Sequence, residues 1–225
     1  HLKAVVATIS SPKAASLMQQ GNYEVAGVMP MGSAYFFLNN REIDEVGKLA
    51  GKKIAVFDYD KSQSQLVQRV GAQAVPSDIS NFGQKFNNGV VDIIAAPATA
   101  YRPLELYRGL GTKGGIPDFV LAQVFLQVVI RKERFPDGYG QQSRQYLSSK
   151  FDRVLAIVQR YESDINPKYW LHIPDTDRPR YFALMRSARI DLTKNGTYDK
   201  RMMSLLKKVR CQIEPQSPEC SENLE

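Results

Sequence analysis

Histidine is nearly missing from this 225-residue sequence, which has only His1 and His172. Cysteine is as scarce, with Cys211 and Cys220 alone. Their eight-residue separation lies outside the two- to four-residue gap of most zinc knuckles, so no metal site is expected. Pro215 and Pro218 between them suggest a folded-back tail. The pair is read as a disulfide across that tail, which fits an oxidising compartment; two free thiols are the alternative. There is no Gly-x-Ser-x-Gly elbow, phosphate-binding loop or Gly-x-Gly-x-x-Gly. His172 has Asp175 and Asp177 nearby, but a lone histidine close to Trp170 is usually structural. No enzyme and no cofactor are therefore expected. Long hydrophobic runs are missing too. The longest, residues 119–130, is interrupted by Gln123 and Gln127 and is too short to span a bilayer. The net charge of +7 comes from 30 Lys and Arg interleaved with 23 Asp and Glu, without a basic block or an RNA-binding pattern. This argues for a solvated surface and against a nucleic-acid partner.

What is present is an ordered pattern over residues 49–97. Ile54-Ala55-Val56-Phe57 is a short apolar strand followed by the polar turn Asp58-Tyr59-Asp60-Lys61. A helix with Leu66, Val67 and Val70 on one face ends at Gly71. Ala74-Val75-Pro76 is a second strand, a helix with Phe82 and Phe86 ends at Asn88-Gly89, and residues 90–94 are a third strand. Strand, helix, strand, helix, strand in about fifty residues predicts a parallel sheet with crossover helices. Ligands of such sheets bind off the carboxyl ends of the strands. That places Asp58-Tyr59-Asp60 and Ala95-Ala96-Pro97 at a crevice. Asp60 and Ser62 are read as caps of the following helix.

The same stretch resembles the second lobe of the periplasmic solute-binding proteins of TRAP transporters. The resemblance rests on Leu49-Ala50-Gly51-Lys52-Lys53-Ile54, on Gly71-Ala72 with Val75-Pro76 after it, and on Gly89-Val90-Val91-Asp92 followed by Pro97. It implies a two-lobed type II periplasmic-binding fold, α/β, with mixed sheets flanked by helices. It also implies that part of the first lobe lies upstream of His1, so that this lobe is incomplete here.

The remaining chain is read in order around that centre. Residues 1–9 fit either helix or strand, and residues 14–20 a short helix. Residues 23–28 and 34–38 are strands separated by a break at Met29-Pro30-Met31-Gly32-Ser33. Residues 99–109 are a helix, and the glycines from Gly109 to Gly115 a flexible loop. Residues 119–130 are a long strand buried at both ends, and residues 141–161 one amphipathic helix. Two more helices cover 181–190 and 199–210, and 221–225 is a loose tail. The expected domains are 1–46 (part of lobe 1 and a crossing strand), 47–118 (lobe 2) and 119–225 (return strand, lobe 1 helices and tail).

In the TRAP family an arginine on the first strand of the second lobe grips the ligand carboxylate, a pairing that suits the guanidinium fork. Here that position is Ala55. The other pocket positions the resemblance implies fall at Tyr35, Ile79 and Ala96, which leaves a more apolar and aromatic wall. Asp58 and Tyr59, straight off the strand end, are ligand-binding candidates, joined by Tyr101, Gln123 and Ser33. The implied function is periplasmic capture of a small organic ligand between two lobes, with a membrane transporter as a possible partner. A non-transport envelope sensor or interaction protein on the same fold is the alternative.

Overall fold

A computed structural model describes residues 2–222 and 224. The expected tail at 221–225 therefore falls, for Asn223 and Glu225, outside the described residues. Leu2–Ile9 is helix α1. Pro12–Met18 is a 3-10 helix opened by its proline, and Gln19–Gln20 is strand β1, so the helix expected to reach residue 20 stops two residues earlier. The 16-residue strand β2, Tyr23–Leu38, is continuous through the expected break. Pro30 withdraws one ladder donor only, and Gly32 takes φ +107, which a side chain would resist.

β3 (Lys53–Phe57), α2 (Lys61–Arg69), β4 (Gln73–Ser77), α3 (Phe82–Asn87) and β5 (Ile93–Pro97) follow in the expected order. β5 begins three residues later than expected. The N–H groups of Val90 and Val91 are taken by the carbonyl of Lys85, which closes α3, and only then does the chain extend. Residues 99–109 are not one helix. A 3-10 turn at Ala98–Ala100 and the short α4, Tyr107–Leu110, are separated by Pro103 and by Glu105 at φ +51. The glycine-rich loop is tied down. Gly115 exchanges backbone hydrogen bonds with Leu38 (2.9 and 3.1 Å), and a Cβ on Gly114 would collide with the carbonyls of Leu38 and Leu110.

After β6 (Ile116–Pro117) comes β7, Ala122–Arg131. Phe119 is buried before it, but along the strand only Ile130 is, while Leu126, Val128 and Val129 are exposed. The expected single helix at 141–161 is two, α5 (Tyr139–Ser149) and α6 (Phe151–Ser163), broken at Lys150. β8 (Trp170–Leu171) pairs in parallel with β6; α7 spans Arg178–Lys194 and α8 Lys200–Ile213. Among the described residues no helix is long and apolar enough to cross a membrane.

The chain forms two compact units: His1–Met31, Val124–Ile157 and Thr193–Glu225 make the first, Gly32–Gln123 and Val158–Leu192 the second. In the second, the sheet runs β2–β5–β3–β4. β2 is antiparallel to β5, and β3 is parallel to both its neighbours. Alternate side chains enter opposite faces. One face buries Phe37, Phe86, Ile94, Leu106 and Leu110, the other Leu38, Ile54, Val56, Val67 and Ile93. A third cluster joins Phe119, Ile173 and Tyr181.

The first unit has a smaller apolar cluster of Ile9, Met18 and Val28, with Phe125, Met202 and Leu206 against it. Beside it Arg144 is fully buried. Its guanidinium donates to Glu24 Oε1 (2.6 Å), the Val25 carbonyl (2.7 Å) and Gln141 Oε1 (2.7 Å). Cys211 and Cys220 form the expected disulfide, joining α8 to the 3-10 turn Pro218–Cys220.

Candidate functional site

The carboxyl ends of β3, β4 and β5 share one edge of the second unit's sheet. Because Ala34 pairs with Pro97, the Gly32-Ser33 stretch inside β2 lies level with that edge as well. At the end of β3, local bonds close the turn. Asp58 N–H donates to the Ser77 carbonyl (3.1 Å), and Gln63 Oε1 accepts from Phe57 N–H (3.0 Å). Asp60 caps α2, accepting from the N–H groups of Ser62 (2.9 Å) and Gln63 (3.2 Å), as expected. With its backbone committed, the turn directs Asp58 and Tyr59 to solvent. Tyr59 is 71% exposed and lies flat on Phe57, with centroids 5.4 Å apart and planes 9° apart; Phe57 meets Phe82 edge-on at 5.2 Å.

The turn after β4 repeats this plan. Asp78 accepts from Ser80 N–H (2.7 Å) and Asn81 N–H (3.1 Å), and Asn81 Oδ1 accepts from Asp78 N–H (3.1 Å). The Ser80 hydroxyl, then its N–H, hold the Asp78 carboxyl below the usual range. Ile79 is left at the tip, 72% exposed.

Farther along, Ser33 and Gln123 hydrogen-bond each other (3.1 Å). Tyr35 is buried against Trp170, centroids 5.0 Å apart, and its hydroxyl donates to Glu162 Oε1 (2.7 Å). Burial, then the Glu162 carboxylate, push that phenol well above its ordinary pKa. Ala96 and Tyr101 are buried in the core, Tyr101 within 6.5 Å of Phe37 and of Tyr169 by ring centroid. Ala95 and Ala96 lie inside β5 and not beyond its end. The eight residues singled out in the sequence therefore fall in one unit and in two layers. Asp58, Tyr59, Ile79, Gln123 and the half-buried Ser33 reach the surface, and Tyr35, Ala96 and Tyr101 lie beneath.

Ala55, where the TRAP pattern has arginine, is buried in the core of the same unit. Sequence reasoning missed two contributors. Phe57 looked like an ordinary strand residue, though its two-residue spacing to Tyr59 was a signal. Glu162 comes from α6, 127 positions from Tyr35, and nothing local marks it. His172 is held by Asp118 (Nδ1 to Oδ2, 2.9 Å). Burial alone would raise the Asp118 carboxyl, but Ile173 N–H, His172 and Arg178 together hold it below the usual range. The cluster anchors the start of α7 to the segment before β7. Among the described residues no group of three His, Cys, Asp or Glu side chains could hold a metal ion.

The family described as solute-binding protein AdeT 1/2 matches residues 1–225. A probable solute-binding protein AdeT1 of Acinetobacter baumannii is 51% identical over 215 residues, covering 96% of this chain and 71% of that protein. A probable solute-binding protein AdeT2 of the same organism is 27% identical over 199 residues, covering 88% and 84%. Among solved structures, a TRAP periplasmic solute-binding protein from Desulfovibrio salexigens with bound orotic acid superposes with a TM-score of 0.76 at 16% identity, over 95% of this chain and 71% of that one. One from Rhodoferax ferrireducens with bound malonate gives 0.71 at 10%, over 96% and 71%. One from Anaerococcus prevotii with bound D-glucuronate gives 0.75 at 13%, over 94% and 71%. At these identities the likeness is one of fold, and it is the type II binding-protein fold expected from the sequence.

Proposed function

The chain belongs to the AdeT 1/2 solute-binding protein family, and on that premise we propose that it holds a small organic solute at the carboxyl edge of the second unit's sheet. Asp58, Tyr59, Ile79, Ser33 and Gln123 face the solute, and Tyr35, Ala96 and Tyr101 stiffen the layer behind them. The protein works in the periplasm, where it passes the solute to a membrane transporter, and no chemical step is involved. The observation that carries this reading is the exposed Tyr59–Phe57 stack on the sheet edge whose next turn carries the exposed Ile79. A large aromatic side chain left open to water, braced from behind by a second ring and a third edge-on, is a preformed platform for a flat or apolar ligand face. The carboxylate-bearing ligands of the solved neighbours support a solute of similar size. With Ala55 in the arginine position, the grip comes from rings and polar side chains and not from a guanidinium fork.

A thermal-shift screen of aromatic, aliphatic and sugar acids, with neutral aromatics alongside, tests this. A ligand at a hundred times its Kd should stabilise the folded chain by about 2.7 kcal/mol, a shift of several degrees. A broad screen that never moves the midpoint contradicts the reading.

A further inference from the structure

We propose that the first unit carries an anion site, separate from the solute edge, that takes a phosphate group bearing an apolar tail. A cleft of about 510 Å³ lies between the 3-10 helix Pro12–Met18 and the Lys200-to-Lys208 stretch of α8. Four cations line it, Lys13, Lys200, Arg201 and Lys208, and no acidic side chain does. Among the described residues Lys13, Lys200 and Lys208 make no ion pair. Arg201 has one long contact, 3.5 Å, to Asp199. That carboxylate is already the cap of α8, accepting from Met202 N–H at 2.9 Å.

The other cations of α8 are placed differently. Arg210 makes a two-pronged pair with Glu219 (2.8 and 3.0 Å), and Lys207 donates to the Glu222 carbonyl. The same helix thus gives Arg210 a close carboxylate partner away from the cleft, while of the cations in it only Arg201 has one, at 3.5 Å. Like charges around one small volume repel, and a doubly charged anion relieves several such pairs at once. Arg201 offers the forked donor that fits phosphate oxygens, and the Ser204 hydroxyl on the same wall is a further donor.

One feature separates this open, shallow cleft from a merely solvated basic surface: Leu17 and Leu205 form part of its lining. A phosphate with a hydrocarbon continuation satisfies both halves of that lining. A phospholipid headgroup and a soluble phosphorylated amphiphile share this chemistry.

The test uses the 225-residue protein. Inorganic phosphate, dodecyl phosphate and dodecyl trimethylammonium are titrated calorimetrically at low salt, and vesicles of phosphatidylglycerol or phosphatidylcholine are used for co-sedimentation. Dodecyl phosphate should bind at least about tenfold tighter than inorganic phosphate, and about 0.5 M salt should weaken it. Lys13→Gln/Lys208→Gln should weaken it at least about tenfold, because two of four cations are gone. Leu205→Ser should lower dodecyl phosphate affinity and leave inorganic phosphate unchanged. Binding of phosphatidylglycerol vesicles that the double variant loses assigns the lipid source; dodecyl phosphate binding without vesicle binding assigns a soluble one. Melting midpoints within a degree of the parent show that the variants are folded, and Lys200→Gln serves in place of any that is not. Equal affinity of parent and variant for dodecyl phosphate, or equal binding of the phosphate and ammonium amphiphiles, overturns the proposal.

Discussion

The two units are held together by different means. The second is built around a strand–helix–strand succession over residues 53–97, in which β3 pairs with β4 and β5 and the turns after β3 and β4 are closed by their own caps. The first is gathered from three distant segments. Its ties between segments are a buried ion pair between residues 120 positions apart and a surface pair between Lys3 and Asp152, while a disulfide closes a short loop within the last segment. Its apolar cluster is the smaller, and much of β7 faces water. A locally ordered region can rely on propensity, capping and burial. One assembled from afar depends on a few specific polar and covalent links. The first unit should therefore be brittle to single substitutions at those links, and the second should yield mainly to loss of core volume.

The largest expected effect is at Arg144. Arg144→Ala leaves Glu24 buried without its partner and should cost about 3–5 kcal/mol in chemical denaturation. A cost below about 1 kcal/mol would show that the ion pair is not what secures the unit. Next, Cys211→Ser/Cys220→Ser should lower stability by about 2–3 kcal/mol, and a reducing agent should reproduce the loss in the parent. In the second unit, Asp60→Ala removes one cap and should cost only about 1 kcal/mol, read from the same denaturation curves. If Asp60→Ala cost as much as Arg144→Ala, the contrast between the units would fail.

The smallest effect concerns pH. Burial, followed by the Asp44 carboxylate, pushes the Tyr181 phenol up to about 12, and Tyr35 is shifted in the same direction. An unfolded tyrosine ionises near pH 10. Above that pH the unfolded chain gives up phenol protons that the folded chain keeps, so stability should fall as pH rises from about 10 toward 12 and be untouched by these groups below it. Following tyrosinate absorbance alongside the melting midpoint checks this, and Tyr181→Phe should flatten the slope.

What could be read from the sequence follows the same division. Asp60, Phe82, Phe86 and Gly89 announced the second unit because each acts within a few residues of itself. Where long-range pairing decides, the reading failed. Pro30 and Gly32 look like breakers but sit inside one strand held by distant partners. The glycines at 114 and 115 suggest looseness, yet they permit close approach to Leu38 and Leu171. Residues 99–109 have helical spacing, but Pro103 and Glu105 interrupt it. For the candidate site, the sequence pointed to the turn at Asp58-Tyr59 but not to the ring beneath it. Alternation puts Phe57 and Tyr59 on one side only if the strand direction persists into the turn.

If Tyr59, on its aromatic support, holds the solute in place of an arginine, removal of its ring must weaken binding. The direct measurement is an equilibrium titration of the parent and Tyr59→Ala with a ligand found by thermal shift, with a denaturation curve for each. Tyr59→Ala should bind at least about tenfold more weakly, because a stacked aromatic face contributes roughly 0.5–1.5 kcal/mol beyond its buried area, with stability within about 0.5 kcal/mol of the parent. Equal affinity in the two proteins would contradict it.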